Sequence, residues 1–289
     1  MDFDTAINKA WDDHAADARG VAARLPTLQA LVTEESQLER LIALTHHVHG
    51  EHLGEWAAGA TALEALRALP AYREASGSGQ SMRRSLASLA LCGGATPPAM
   101  STSDQIRVHA LAASNLAPRD AARASHTLQQ ALTLAEGSDL PDTDPMHRAI
   151  AVAAHNLACT LEEKPARSGD ERALMILAAQ ASRHHWELAG TWLEVERAEY
   201  RLAMSWLQAG DFAQARQHAQ TCLEIVDANG GVALERLFGW QALGLVERAA
   251  GDAVGHARAV DMARTAFAQL STEDQGWCAE TIEKLAAAK

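Results

Sequence analysis

Residues that build sheets are in short supply in this chain. Aromatics make up 4% of its 289 residues, with only two tyrosines and four phenylalanines, and isoleucine is scarce. What remains is rich in alanine and favours helix over strand on intrinsic propensity. No run approaches the roughly 18 apolar residues that span a bilayer. The opening stretch, MDFDTAINKAWDDH, is acidic and has no apolar signal core. These absences lead us to expect a soluble, cytoplasmic protein without a membrane partner. Basic residues are outnumbered, 25 Lys and Arg against 37 Asp and Glu, for a net charge of −12. Non-specific nucleic-acid binding needs clustered cations to displace counterions, so no nucleic-acid partner is expected. The four cysteines, Cys92, Cys159, Cys222 and Cys278, are far apart and form no CxxC. They read as reduced core residues rather than a disulfide or metal set. Also missing are a phosphate loop, a nucleophile elbow, a Ser/His/Asp constellation, a dinucleotide fingerprint and HExxH. We therefore assign no catalytic residue, no cofactor and no metal, and expect a protein that is not an enzyme.

What the chain does contain is helical periodicity. A first helix is expected from Phe3 to about Leu25, ended or kinked by Pro26. A second runs from about Glu34 to His49. Gly54-Glu55-Trp56 then turns the chain, and Pro70 closes a hairpin. SGSGQS, residues 76–81, reads as a flexible linker before a short helix over 82–91. Residues 92–103, CGGATPPAMSTS, form the longest Gly/Pro-rich break. That break is a candidate boundary between two stacked halves, or simply a loop. From Ser103 onward the pattern is regular, with helices around Leu111, Leu128, Leu157 and Leu177.

The most telling stretch is residues 202–223, LAMSWLQAGDFAQARQHAQTCL. Leu202, Ala203 and Trp206 share one helical face, Gly210-Asp211-Phe212 turns the chain, and Ala215, Ala219, Cys222 and Leu223 return on a second helix. Gly251-Asp252 repeats the turn, and Trp240-Gln241-Ala242-Leu243-Gly244 opens another unit. This pattern resembles the tetratricopeptide repeat (TPR), with its Leu-small pair, bulky residue, Gly-Asp-aromatic turn and spaced small residues. The last four units begin about 41–46 residues apart, longer than the ~34 of an ordinary TPR. They look like the long-helix repeats of bacterial regulators that sense peptides or sugars. The resemblance implies an all-α, right-handed α-α superhelix, a TPR-like solenoid, of about 13 helices. It divides the chain into an N-terminal helical region, 1–100, with one degenerate TPR-like unit at 38–70, and regular repeats over 101–289. The latter would end in a capping helix that presents Trp277, Thr281 and Leu285 on one face.

The resemblance also implies a groove lined by the first helix of each unit. Its positions fall on Ile106, His109, Ala110 and Ala113, then Val152, His155, Asn156 and Cys159. Arg197, Tyr200, Arg201 and Met204 follow, and then Phe238, Gln241, Ala242 and Leu245. From these the candidate peptide-binding residues are His109, His155, Asn156, Arg197, Tyr200, Arg201, Met204 and Gln241. TPRs that clamp a terminal carboxylate place an Asn in one repeat and two basic residues in the next. Asn156, Arg197 and Arg201 match, whereas His109 and Ala113 stand where Lys and Asn are expected. Two guanidinium forks one helical turn apart suit a carboxylate. A generic peptide groove and local ion pairs with Glu194, Glu196 or Glu163 account for the same arginines.

HHVHGEH places His46, His47, His49 and His52 beside Glu51. His46 and His49, three apart, share a helical face as metal ligands do, but no distant ligand completes the set. The competing reading is a histidine-rich helix end near the carbonyl dipole. The seven tryptophans recur at helix ends and turns and read as inter-helix packing. The expected function is a non-catalytic protein- or peptide-binding scaffold. The alternative is a regulatory TPR domain that senses a small molecule or short signalling peptide. Self-association through the solenoid ends stays open.

Overall fold

The computed structural model describes residues 2–287, and among them there are fourteen α-helices and no strand. The chain divides into two compact units, Met1–Ala153 and Ala154–Lys289. The division falls inside a helix, and the Gly/Pro-rich break at 92–103 lies within the first unit.

In that unit, α1 (Phe3–Asp13) and α2 (Ala18–Gln29) replace the single helix expected over 3–25. The chain turns at residues 14–17, and Asp17 starts α2 by accepting a hydrogen bond from the Gly20 amide at 2.8 Å. This extra break brings the helix number to fourteen rather than about thirteen. Pro26 does not end α2, which runs three residues further while Leu25 and Leu28 bury themselves on either side of it. Burial of those leucines outweighs the one backbone hydrogen bond that proline forgoes.

Next come α3 (Glu35–His47), a π-helical turn at Val48–Leu53, and α4 (Trp56–Ala65), with a 3₁₀ turn at Leu66–Ala68. α5 (Gly77–Cys92) begins inside SGSGQS, so that stretch is a helix start and not a linker. Glu35 fastens it, since its Oε1 accepts from Ser76 Oγ at 2.5 Å, Ser78 N at 3.0 Å and Ser78 Oγ at 2.8 Å. The glycines serve close approach: a Cβ on Gly79 would lie 2.1 Å from the Glu74 carbonyl oxygen. α6 (Thr102–Leu116) and α7 (Ala121–Glu136) pair, and α8 (Pro145–Glu162) follows. The buried core of this unit gathers Ile7, Val21, Leu38, Leu41, Ile42 and Leu63, with a second cluster around Ile106, Met146 and Ile150.

The second unit holds the end of α8, then α9 (Gly169–Ala189), α10 (Trp192–Ala209), α11 (Phe212–Ala228), α12 (Ala233–Ala250), α13 (Ala253–Phe267) and α14 (Thr272–Ala286). Each helix packs chiefly on its neighbour in the chain, α10 on α11 and α12 on α13 most extensively. The turns follow one design. Gly210 and Gly251 take left-handed φ values of 84° and 80°. Asp211 and Asp252 then cap the next helix through the amides of Gln214 and Gly255. Gly54 takes the same left-handed conformation in the first-unit hairpin, with φ 64°, but Glu55 after it makes no side-chain cap. Cys92, Cys222 and Cys278 are buried and Cys159 is half-buried, and none of the four is in a disulfide. α14 buries Cys278 and Leu285, whereas Trp277, expected on the same face as Leu285, is 68% exposed. Positions 277 and 285 lie eight apart, about 80° round the helix axis at 100° per residue, and only Leu285 meets the core.

No helix among the described residues is long and apolar enough to cross a membrane.

Candidate functional site

The second unit brings alternate helices together. The Tyr200 hydroxyl on α10 donates to Gln241 Oε1 on α12 at 3.2 Å. The Tyr200 ring meets Phe238 edge-on, with centroids 6.1 Å apart, and Phe238 lies 5.7 Å from the Trp277 ring of α14. Three helices that are not neighbours in sequence thus share a ladder of aromatic rings, and its last rung stands in solvent. Burial pushes the Tyr200 hydroxyl up to about 12. It therefore stays protonated and keeps its donor role toward Gln241. Met204, one turn further along α10, packs half-buried beside Ala203, Ala219 and Ala242.

Both candidate clamp arginines already have carboxylate partners, and these are not the ones expected. Arg197 Nη2 reaches Glu235 Oε1 on α12 at 2.6 Å. Arg201 Nη1 pairs with Glu162 Oε2 on α8, and Ser205 Oγ donates to the other oxygen of that carboxylate at 2.5 Å. The two pairs differ in solvation. The Arg197 side chain is 56% exposed and Arg201 only 18%. His155 is half-buried; burial lowers it to about 4, and the Arg201 charge acts in the same direction. It is a neutral ring at physiological pH and adds no positive charge. Asn156 is half-buried on the same helix. A pre-formed pair of free guanidinium groups awaiting a carboxylate is thus not what these residues make. An incoming anion would have to displace Glu235 from Arg197, the more accessible of the two.

Acidic groups reinforce this pattern. Glu196 is 1% exposed, and burial, followed by the charge of Glu235, raises it to about 8. Arg183 and His218 converge on Glu199, and Arg216 grips Glu247 through Nε at 2.7 Å and Nη2 at 2.5 Å. Buried glutamates linked to basic residues on other helices lock the hairpins to one another.

His109 belongs to the first unit. It lines a depression of about 520 Å³ between α6 and α7, with Gln105, His126, Gln129, Gln130, Thr133 and Leu134. Its Nδ1 donates to the Gln105 carbonyl at 2.8 Å. Ile106, Ala110, Ala113 and Ala242, which the resemblance places along the groove, are buried in helix packing. His46 and His49 do not face a common point. His46 Nε2 lies 3.2 Å from Asn115 Nδ2, and His49 lines an apolar cavity of about 180 Å³.

Comparison with known proteins returns no matching family model, no matching curated protein and no matching solved structure. The reading of this site therefore rests on its own residues.

Sequence reasoning missed two features of the site. Trp277 was read as packing, although Gly276 before it and Glu280 after it already mark an exposed side of α14. Glu162 and Glu235 were missed as partners of the arginines because they lie 39 and 38 residues away in the chain. No local spacing carries such a signal.

Proposed function

We propose that the second unit is a TPR-like, right-handed superhelical module. Its α10–α12–α14 face binds a peptide segment of a partner protein, without catalysis. The observation that carries this reading is the ladder Tyr200–Phe238–Trp277, with its exposed indole at the end. Large aromatic side chains are the residues whose burial dominates protein interfaces. An indole left in water beside two partly buried rings offers an apolar anchor. Gln241 and Arg197 flank the ladder and orient a peptide's polar groups. Contacts between alternate helices support the repeat reading, since stacked hairpins must meet through their first helices.

Selection of displayed random peptides on the immobilised chain tests the proposal. Peptides should be enriched over an unrelated helical control, and they should protect α10 and α12 amides from hydrogen exchange. Trp277→Ala should weaken the selected peptides at least tenfold without changing the helical circular dichroism, because the side chain is mostly in solvent. Peptides that bind Trp277→Ala and Arg197→Ala as well as the parent chain would overturn the site.

A further inference from the structure

Residues five apart on an α-helix point about 140° away from each other. In a π-helical turn the hydrogen-bonding partner is five residues on, so residues i and i+5 stack. The turn at Val48–Leu53 does this for His47 and His52, whose Nε2 atoms lie 3.1 Å apart. His14, in the turn just past the end of α1, completes a group of three. One ring nitrogen from each histidine lies within 4.8 Å of the others. The rings also crowd one another, with His14 centred 4.9 Å from both His47 and His52.

The unused nitrogens are oriented by groups around the cluster. His47 Nδ1 lies 3.3 Å from Glu51 Oε2, and that buried carboxylate is held in turn by Ser114 Oγ at 2.9 Å. A proton on Nδ1 that faces a carboxylate leaves Nε2 as the lone-pair nitrogen. His14 Nδ1 contacts the Trp11 carbonyl oxygen. A carbonyl can only accept, so His14 too presents Nε2 as its lone pair. Arg119 donates to the backbone carbonyls of Glu51 at 2.8 Å and His52 at 2.7 Å, which fixes the π-helical turn. Trp11 walls one side, its ring 5.2 Å from both His14 and His47. Metal-binding histidines characteristically have the far nitrogen bonded to a carboxylate or a backbone carbonyl.

We propose that His14, His47 and His52 bind one zinc ion, with Glu51 as the positioning residue for His47. Zinc bonds to imidazole are about 2.0–2.1 Å, so tetrahedral ligands sit about 3.3 Å apart. The His47–His52 pair already has that spacing. A small shift of His14, which lies outside any helix, brings in the third nitrogen with Nδ1 still on the Trp11 carbonyl. All three histidines are partly exposed, the His47 side chain at 14%, so a fourth position lies within reach of water. The ion would tie the end of α1 to the end of α3. This assignment is independent of the peptide face in the other unit.

The test uses the full chain, stripped with chelator and titrated with zinc by calorimetry. One ion per chain is expected. His14→Ala and His52→Ala should each weaken binding at least a hundredfold, and Glu51→Gln about 10–100-fold. His184→Ala, at an exposed histidine elsewhere, should change nothing. If His52→Ala loses its helical circular dichroism, His14→Ala alone carries the decision, since it removes a partly exposed side chain beyond a helix end. No saturable one-to-one binding by the parent chain, or binding that His14→Ala leaves intact, overturns the site.

Discussion

Gly244 on α12 approaches Ala259 on α13 so closely that a Cβ built on the glycine would stand 3.2 Å from the alanine Cβ. It would also stand 2.9 Å from Leu285 Cδ1. The final glycine of the Trp-x-x-Leu-Gly pattern is therefore small because two helices cross there. Gly244→Ala gains about 0.5–1 kcal/mol of helix propensity but overfills the crossing, which costs about 1–3 kcal/mol. A net loss near 1 kcal/mol is expected. Gly276 on α14 has nothing within 4 Å of its added Cβ, so Gly276→Ala should stabilise by about 0.5–1 kcal/mol. Urea midpoints at unchanged slope measure both. Equal effects of the two substitutions would contradict this account of the motif.

Glu196 makes stability depend on pH in a direction opposite to that of most carboxylates. Unfolded, it loses its proton near 4.5; folded, it keeps it up to about 8. Between those values the folded chain binds more protons, so stability falls as pH rises through the window and is level outside it. His155, lowered to about 4, acts oppositely and destabilises as pH falls from 6.5. Comparison of Glu196→Gln with the parent chain cancels that second contribution. The variant's advantage should grow by about 2–4 kcal/mol from pH 4.5 to pH 8. A difference that is flat with pH would mean Glu196 is ionised in the folded chain.

The regular hairpins were legible in the sequence because their signals are local. Gly210-Asp211 and Gly251-Asp252 encode a left-handed residue followed by a helix cap, and small residues at 215, 219 and 244 mark the crossings. The contact of His47 with His52 was not legible because the 3.6-residue period pairs His46 with His49. A π-helical turn changes the period just there, so that His47 meets His52. The third member, His14, lies 33 positions before His47. Only packing of α1 against α3 brings it near.

The start of α5 was misread for a related reason. Glycine beside serine suggests a linker, but the carboxylate that organises SGSGQS sits on α3, about 40 residues earlier. Gly79→Ala would push a Cβ into the Glu74 carbonyl and should destabilise strongly, by roughly 2–4 kcal/mol. Glu35→Gln should speed hydrogen exchange at Ser78, Gly79 and Gln80 while leaving α10 and α12 unaffected. The three hydrogen bonds hold Glu35 below the ordinary carboxylate range. Their contribution is therefore present above about pH 4.5 and lost as the group is protonated on acidification.

Arg197 and Arg201 stand one turn apart yet should respond differently to truncation. Arg201→Ala strands Glu162, whose side chain is only 9% exposed, and leaves it the Ser205 hydroxyl as a donor. Removing one partner of a buried pair costs roughly 3–5 kcal/mol, and partial solvation of this pair brings the expectation to about 2–3 kcal/mol. Arg197 itself is mostly in water but its partner Glu235 is only 7% exposed, so Arg197→Ala should cost less than Arg201→Ala, about 1–2 kcal/mol. If Arg201 serves chiefly to neutralise Glu162, the double variant Arg201→Met with Glu162→Leu should recover most of the loss. A double-mutant cycle read by urea unfolding decides this, and a double variant no more stable than Arg201→Ala would refute it. The outcome also governs how binding data are read. Loss of peptide capture in Arg201→Ala would report a loosened α8–α10 contact, whereas the same loss in Arg197→Ala, at conditions where that variant stays fully folded, would locate the peptide.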